Sequence, residues 1–270
     1  MKNIKLITSF LSFVYNYLYT ILLFLYLSTI GFLFQKNRVL IHQLRNKFSF
    51  FKAPPIALRL KKIKLAEMIP KGQSVLMTEP AIVQGNVTLL ELLVINLLVA
   101  TCRPRIIFEI GTFDGRTTLN MARNSPDETK IYTIDLPKDE TSTATLAVAR
   151  SDQNLIDTNV TGSRFLQSGD KKITEKITQL YGDTAVFDFA TYTNAVDFIF
   201  IDGAHTYEYV MNDSRIAETL LRNGKGVILW HDYDPLHEGS VRAIEELQAS
   251  HSSWDIRHIE GTNLAYLAKN

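Results

Sequence analysis

The chain has 270 residues, a formal net charge of +1 and a single cysteine, Cys102. This length suits one well-cored α/β domain with a smaller appended segment. A lone cysteine excludes an intramolecular disulfide and every zinc pattern built from several cysteines. After residue 64 there are 18 basic and 28 acidic residues. This acidic balance argues against a nucleic-acid partner, which would require a basic patch on the folded domain.

The charges are divided sharply along the chain. Eleven Lys or Arg and no Asp or Glu precede Glu67, and the thirty residues from Leu6 to Gln35 carry no charge. About 20 apolar residues suffice to cross a bilayer as a helix, so we predict a transmembrane anchor over residues 1–35. A signal peptide has a shorter apolar region and a small-residue cleavage site, and neither is visible. A helix or hairpin lying in the membrane interface is the alternative.

The segment after the anchor, residues 36–78, is predicted to be a basic juxtamembrane linker with a break at the consecutive prolines Pro54 and Pro55. More Lys and Arg follow the apolar segment than precede it. Because positively charged flanks stay in the cytoplasm, the sequence predicts a single-pass membrane protein whose C-terminal domain lies on the cytoplasmic side.

Residues 79–270 are predicted to form one α/β domain. Short β-rich apolar runs alternate there with amphipathic stretches, the pattern of a parallel sheet covered by helices on both faces. The predicted strands are residues 105–110, 130–135, 164–167, 196–202 and 226–230. The predicted helices are residues 89–100, 117–123, 172–181, 207–222 and 241–250. The chain closes with two predicted antiparallel edge strands around a turn at residues 261–263.

The first predicted strand runs into a turn with two glycines, EIGTFDGRT at residues 109–117. Glycines let the backbone approach a ligand closely, and the start of the following helix offers free N–H groups. Phe113 stands where a dinucleotide fingerprint needs its second glycine, which weakens the case for a nicotinamide cofactor. A glycine turn needed only for packing is the alternative.

Two further strand ends suit a nucleoside. Asp135 follows Gly115 by twenty residues, and a carboxylate at that place accepts hydrogen bonds from ribose hydroxyls. The small polar residues Ser168, Gly169 and Asp170 follow the third predicted strand, where an adenine ring would lie. For Asp170 an equal alternative is the N-cap of a helix beginning at residue 171.

The fourth predicted strand ends in Asp202, and the fifth is followed by His231 and Asp232. Neighbouring strand ends would bring these side chains together as ligands of a divalent cation. Mg²⁺ prefers oxygen donors, and a histidine also admits Mn²⁺, Fe²⁺ or Zn²⁺. His205 follows Asp202 by three residues and is close enough to take a proton from a hydroxyl held there. A lone histidine is more often structural, but two strand ends that each supply an Asp and a His favour a functional site.

These motifs together resemble class I S-adenosylmethionine-dependent methyltransferases, and among them the small O-methyltransferases of the catechol and macrolide-sugar type. FEIGTFDGRT resembles the first cofactor motif, YTIDLP the acidic ribose motif, and FIDGAHTYEYVMND a segment that follows the fourth strand. The resemblance spans residues 79–270. It implies a Rossmann-like, seven-stranded, mostly parallel sheet with an antiparallel last strand, preceded here by the transmembrane helix.

The resemblance also implies a role for each site residue. S-adenosylmethionine would be bound by Glu109, Gly111, Thr112, Gly115, Asp135, Ser168, Gly169 and Asp170. A divalent cation, Mg²⁺ or another metal, would be held by Asp202, His231 and Asp232, with His205 as the catalytic base. His231 stands where the best-known metal-dependent members have a carboxylate.

The sequence thus predicts O-methylation of a hydroxyl on a small-molecule, sugar or lipid-linked acceptor. The main alternative is a membrane-tethered binding or scaffold protein that keeps the fold without turnover. A nicotinamide-dependent oxidoreductase is a third interpretation. The expected partners are the acceptor and the membrane, and a homo-oligomer is left open.

Overall fold

A computed structural model describes residues 2–34, 37–38, 41, 56–136, 144–149, 152–153 and 160–269, and the side chains from residue 10 onward. The chain divides into two compact units, Met1–Pro55 and Ile56–Asn270. The predicted proline break and most of the predicted linker before residue 56 lie outside the described residues.

The first unit contains helix α1 (Lys2–Ser28) and a short 3₁₀ turn (Ile30–Leu33). Its segment Phe10–Ser28 is long and apolar enough to cross a membrane, although a signal sequence near an N-terminus passes the same test. The hydroxyl of Thr20 donates to a backbone carbonyl one turn earlier, 2.7 Å away. The predicted apolar helix is therefore present, and its insertion into a membrane stays a prediction.

The second unit is built on one sheet of eight strands. They are β1 (Lys61–Ile63), β2 (Ile106–Ile110), β3 (Lys130–Asp135), β4 (Ile177–Tyr181), β5 (Phe198–Ile201), β6 (Gly226–Trp230), β7 (Arg257–Ile259) and β8 (Ala265–Lys269). Their order in the sheet is β1-β7-β8-β6-β5-β2-β3-β4. Among these strands β8 alone runs antiparallel to its neighbours, so the predicted mostly parallel sheet with an antiparallel last strand is confirmed, with eight strands where seven were predicted.

Helices of the second unit pack on both faces of this sheet. They are α2 (Leu65–Met68), α3 (Leu89–Cys102), α4 (Arg116–Asn124), α5 (Ser163–Leu166), α6 (Lys171–Thr174), α7 (Tyr207–Leu220) and α8 (Glu238–Ser250). Successive residues of a strand face opposite sides, and β5 places Phe198 and Phe200 in one core and Ile199 and Ile201 in the other. Residues of α3 and α4 fill the first core, and residues of α7 and α8 fill the second. The Rossmann-like class predicted from the sequence is confirmed.

The third strand was predicted in the wrong place. Residues 164–167 lie in helix α5 and its C-cap, while the strand β4 occupies Ile177–Tyr181, within a predicted helix. The alternation of ITQLY is consistent with a strand, because its branched and aromatic residues suit the partly buried outer position beside β3. Gly162, with φ +71°, precedes α5 and turns the chain into that helix.

The C-terminal strands pair with each other as predicted, but neither lies at an edge. Strand β8 lies between β6 and β7, and β7 also pairs in parallel with β1. Strand β1 belongs to the stretch predicted to be a linker. Its three residues, two of them exposed lysines, gave no apolar run that would predict a strand.

The chain entering β1 is held by a buried tyrosine. The hydroxyl oxygen of Tyr233 accepts hydrogen bonds from the backbone N–H groups of Arg59 and Leu60, both at 3.0 Å. The same hydroxyl donates to Glu245 of α8 at 2.8 Å. One side chain thus fixes the added strand to the rest of the second unit.

We predict that Tyr233→Phe destabilises the protein by about 1–3 kcal/mol, because the buried N–H of Leu60 would lose its hydrogen-bond partner. Urea unfolding of the full chain in mild detergent measures this free energy. Tyr181→Phe, which removes an exposed hydroxyl, is the control. Equal unfolding midpoints for Tyr233→Phe and the wild type would contradict the anchoring role.

Candidate active site

Four parallel strands, β2, β3, β5 and β6, end at the same edge of the sheet. In register, Ile201 lies between Ile110 and Trp230, so the residues that follow these strands begin side by side. This carboxyl edge is where open α/β sheets bind ligands. The side chains predicted from the sequence to follow these strands lie at this edge, namely Asp135, Asp202 and His231.

Both glycines of the first turn are required by close packing. Gly111 has φ +95°, and a Cβ atom there would lie 2.1 Å from the carbonyl oxygen of Asp202. Gly115 has φ +80°, and its Cβ would lie 2.5 Å from the ring of Phe165. The packing explanation therefore holds for both residues, and their contact with a cofactor stays a prediction.

Asp135 holds the glycine turn from the neighbouring strand. Its carboxylate accepts hydrogen bonds from the backbone N–H groups of Phe113 at 2.7 Å and Leu136 at 2.8 Å. Burial raises the pKa of Asp135 to about 6 despite these bonds. A carboxylate has about four acceptor positions, so Asp135 keeps capacity for a ligand's hydroxyls.

Glu109 and Thr112 lie beneath the turn. Glu109 is completely buried, and one of its oxygens accepts hydrogen bonds from Thr118 and Thr133. The Thr112 hydroxyl bonds to Thr133 at 2.7 Å and accepts a hydrogen bond from Gln179 at 3.0 Å. Burial raises the pKa of Glu109 to about 8. The structure thus places both residues under the predicted cofactor surface, where they support the turn.

Ser168, Gly169 and Asp170 lie before strand β4 in the chain, between helices α5 and α6, and do not follow a strand. They precede α6, and Asp170 forms a 2.8 Å ion pair with Arg123 in the last turn of α4. Asp170 is the N-cap residue of α6 by position, with no capping hydrogen bond from its side chain. The basis of the adenine prediction, that these residues end the third strand, is wrong.

The true carboxyl end of β4 leads into Gly182 and Asp183. Asp183 accepts hydrogen bonds from the backbone N–H of Thr145 at 2.7 Å and from the hydroxyl of Tyr209 at 3.0 Å. It therefore ties residues 144–149 to α7 beside the predicted nucleoside position. Recognising ITQLY as a strand would have pointed to this Gly-Asp pair.

The predicted cation ligands are brought together. The Nδ1 atom of His231 lies 3.0 Å from a carboxylate oxygen of Asp202 and 3.0 Å from one of Asp232. Suitable atoms of all three residues lie within 4.8 Å of one another. Neither oxygen is aligned to accept a hydrogen bond from Nδ1, which is buried without such a partner among the described residues.

Glu91 of α3 supports this histidine from the other side. Its Oε2 lies 3.3 Å from Nε2 of His231, while Oε1 accepts the N–H of Asn263 at 2.8 Å. Burial would raise the pKa of Glu91, but His231 outweighs it and brings this pKa to about 2. A proton on Nε2 facing Glu91 leaves the Nδ1 lone pair toward the two aspartates, as in carboxylate–histidine–metal arrangements. The donor set therefore fits a divalent cation.

His205 lies between two buried carboxylates. Its Nδ1 is 3.0 Å from Asp152, which also accepts the His205 backbone N–H at 3.2 Å, and its Nε2 is 2.5 Å from Asp232. Burial alone would lower the pKa of His205, but Asp232 and Asp152 outweigh it and hold this pKa well above the usual value. These two carboxylates therefore favour the protonated form of the ring.

His237 and Asp234 extend the cluster. Nδ1 of His237 lies 2.6 Å from Asp234 and 3.3 Å from the second oxygen of Asp232. Asp234 also accepts the N–H of Leu236 at 2.7 Å. These two residues were not predicted from the sequence, and neither were Glu91 and Asp152. Only the Asp-x-x-His spacing of the first pair was a local signal.

Residues 108–233, which include the glycine turn, Asp135 and the His205 and His231 segments, match the family model described as a methyltransferase domain. This part of the chain is therefore similar to methyltransferase domains. The match ends at Tyr233, immediately after the predicted cation ligands.

Solved structures share this fold. SAH-bound methyltransferase PaMTH1 from Podospora anserina has a TM-score of 0.50 and 17% identity, over 69% of this chain and 81% of that chain. Cofactor-bound Rv0187 from MTB has a TM-score of 0.50 and 17% identity, over 70% of this chain and 84% of that chain. Among curated proteins, none matches the sequence.

We predict that Glu109→Gln changes how stability depends on pH. The pKa of Glu109 is about 8 in the fold, against an ordinary value of 4.5, so its stabilising contribution is complete below about pH 4.5 and is lost as the pH rises toward 8. Glutamine does not ionise, so the free energy of unfolding of the variant does not fall for this reason as the pH rises. Relative to the wild type, it should gain on the order of 2–4 kcal/mol between pH 5 and pH 8.

Urea unfolding of the full chain in detergent at several pH values measures this difference. Glu128→Gln, at an exposed carboxylate, is the matched control and should leave the pH profile unchanged. Parallel stability profiles for Glu109→Gln and the wild type would show that Glu109 is ionised in the fold.

Proposed function

We propose that this chain is an S-adenosylmethionine-dependent O-methyltransferase. The observation that carries the proposal is the single carboxyl edge, where a glycine turn and a strand-end aspartate adjoin a buried histidine–aspartate cluster. The methyltransferase family match and the SAH-bound state of PaMTH1 support the choice of cofactor. When bound, S-adenosylmethionine supplies a sulfonium methyl group that an acceptor oxygen takes as it loses its proton.

The cofactor's ribose is assigned to Asp135, whose carboxylate already orders the turn through the Phe113 N–H. The turn that contains Gly111 and Gly115 leads into the start of α4, and the N-terminus of a helix favours negatively charged groups of a ligand. For the adenine ring we now propose Gly182 and Asp183 at the end of β4, in place of the segment containing Asp170. Gly182 and Asp183 follow the carboxyl end of a strand, as a ligand site in an open α/β sheet requires, whereas Ser168, Gly169 and Asp170 do not.

A divalent cation is assigned to Asp202, His231 and Asp232. It would supply charge that offsets the carboxylates and lowers the pKa of an acceptor hydroxyl. Glu91 holds the His231 ring through Nε2, which keeps Nδ1 directed at the two aspartates. The chain thus provides three donors and a residue that fixes the orientation of one of them.

His205 is assigned the role of proton acceptor for the acceptor hydroxyl. Nε2 is the atom that faces Asp232, and Asp152 fixes the ring through Nδ1 and the backbone. Because the two carboxylates favour the protonated ring, Nε2 becomes a base only when the negative charge of Asp232 is offset. Asp152 is therefore a positioning residue for His205.

For the N-terminal unit we propose a single membrane span with the methyltransferase domain on the cytoplasmic side. The basis is the segment Phe10–Ser28 together with the basic residues that follow the uncharged run. The acceptor on this proposal is a small-molecule, sugar or lipid-linked hydroxyl.

We predict that His205→Ala lowers methyl transfer from labelled S-adenosylmethionine by about 10²- to 10⁴-fold, the usual contribution of general base catalysis. The assay uses the full chain with fractionated cell extract as acceptor. The melting shift caused by S-adenosylhomocysteine should be retained.

His251→Ala is the matched control, because His251 caps α8 and stacks on Trp254 outside the cluster. Unchanged turnover in His205→Ala would exclude the assigned base. Binding of S-adenosylhomocysteine by the wild type without transfer to any extract would favour the scaffold alternative.

We further predict that transfer by the wild type falls at least about 10²-fold after dialysis against EDTA and returns when Mg²⁺ or Mn²⁺ is added, because a metal contributes strongly to activating a bound oxygen. The melting shift with S-adenosylhomocysteine, measured in EDTA, should persist, which separates cation loss from unfolding. Full activity in EDTA would remove the cation from the account.

A further inference from the structure

A second group of metal-ligating side chains adjoins the proposed cation ligands. Asp232, Asp234 and His237 each offer one donor atom, and these atoms all lie within 4.8 Å of one another. Both carboxylates are buried, since Asp232 is 6% and Asp234 8% exposed. Oxygen donors suit Mg²⁺, and an imidazole among them also admits Mn²⁺. The proposed function uses neither Asp234 nor His237.

Asp232 belongs to both groups of ligands through different oxygens. Its Oδ2 lies 3.0 Å from Nδ1 of His231, the nitrogen that also lies 3.0 Å from Asp202. Its Oδ1 lies 3.3 Å from Nδ1 of His237. A carboxylate that presents one oxygen to each of two donor groups can bridge two cations, which in two-metal sites lie about 3.5–4 Å apart.

The chain around Asp234 and His237 orients both side chains. Oδ1 of Asp234 accepts the N–H of Leu236 at 2.7 Å, so Oδ2 is the oxygen that faces His237, at 2.6 Å. His237 is the N-cap residue of α8, and its side chain makes no capping hydrogen bond there. Because this side chain is 35% exposed, the group is accessible to a cation that keeps some of its water ligands, as Mg²⁺ does.

A simple ion pair between His237 and Asp234 is the alternative. An ion pair requires one carboxylate, whereas Nδ1 of His237 faces Asp234 and Asp232 together. A separate observation points to a ligand in the same cluster. Nδ1 of His231 is buried and has no hydrogen-bond partner among the described residues, although Asp232 lies beside it.

We infer that Asp232, Asp234 and His237 bind a second divalent cation, which shares Asp232 with the first. The inference rests on the cation that the proposed function assigns to Asp202, His231 and Asp232, and it extends that site from one ion to two. The second ion would offset the charges of Asp234 and of the Asp232 oxygen that faces away from His231, because buried charges are costly unless they are paired.

The test counts bound metal in the full chain. Chelator-treated protein in mild detergent is dialysed to equilibrium against Mn²⁺, and its bound Mn²⁺ and its electron paramagnetic resonance spectrum are measured. The wild type should hold two Mn²⁺ per chain, with exchange coupling between them because they share a carboxylate. His237→Ala and Asp234→Asn should each hold one Mn²⁺ and give the spectrum of an isolated ion.

His251→Ala is the matched control, because His251 lies at the other end of α8, and it should hold two coupled ions. One Mn²⁺ in the wild type, two in His237→Ala, or two uncoupled ions would overturn this inference and leave the first cation in place. No bound Mn²⁺ in the wild type would overturn the first cation as well. The melting shift with S-adenosylhomocysteine, measured on the same samples, tests the cofactor assignment separately.

Discussion

The close contact between Gly111 and Asp202 is the constraint on which the candidate site depends. A single methyl group at residue 111 would lie 2.1 Å from the carbonyl oxygen of Asp202, so only glycine lets the turn after β2 lie against the end of β5. This contact joins the half of the site assigned to the cofactor with the half assigned to the acceptor. A methyl group transferred between two bound molecules requires such proximity, because much of the rate comes from alignment.

Charge balance is the second constraint. Buried charges are costly unless they are paired, and here the carboxylates of Glu91, Asp152, Asp202, Asp232 and Asp234 meet the imidazoles of His205, His231 and His237. Asp232 is central, since it contacts all three histidines. Burial would raise its pKa, but His231 and His205 outweigh it and hold this pKa well below the usual value. A cation at this residue would therefore change the protonation of the whole cluster.

The sequence predicted those parts of the structure that depend on local patterns. Strands β2, β3, β5 and β6 are short apolar runs bounded by polar residues, and the strand-end residues Asp202, His231 and Asp232 meet as expected. The prediction placed the third strand at residues 164–167 and missed β4 at Ile177–Tyr181. No glycine or proline separates β4 from the short helix before it, so the sequence shows no boundary between helix and strand there. Glu91 and His231 are 140 positions apart, and such a contact depends on the packing of α3 against the sheet, for which one sequence offers no signal.

The most direct test of the central claim is calorimetric titration of S-adenosylhomocysteine into the full chain and into Asp135→Asn. The account assigns the cofactor's ribose to this carboxylate, so the wild type should bind, and the variant should bind at least about tenfold more weakly because hydrogen bonds to a charged group are lost. Thermal unfolding of both proteins without ligand checks that the turn is retained. Equal affinities, or no binding by the wild type, would contradict the assignment of this edge as the cofactor site.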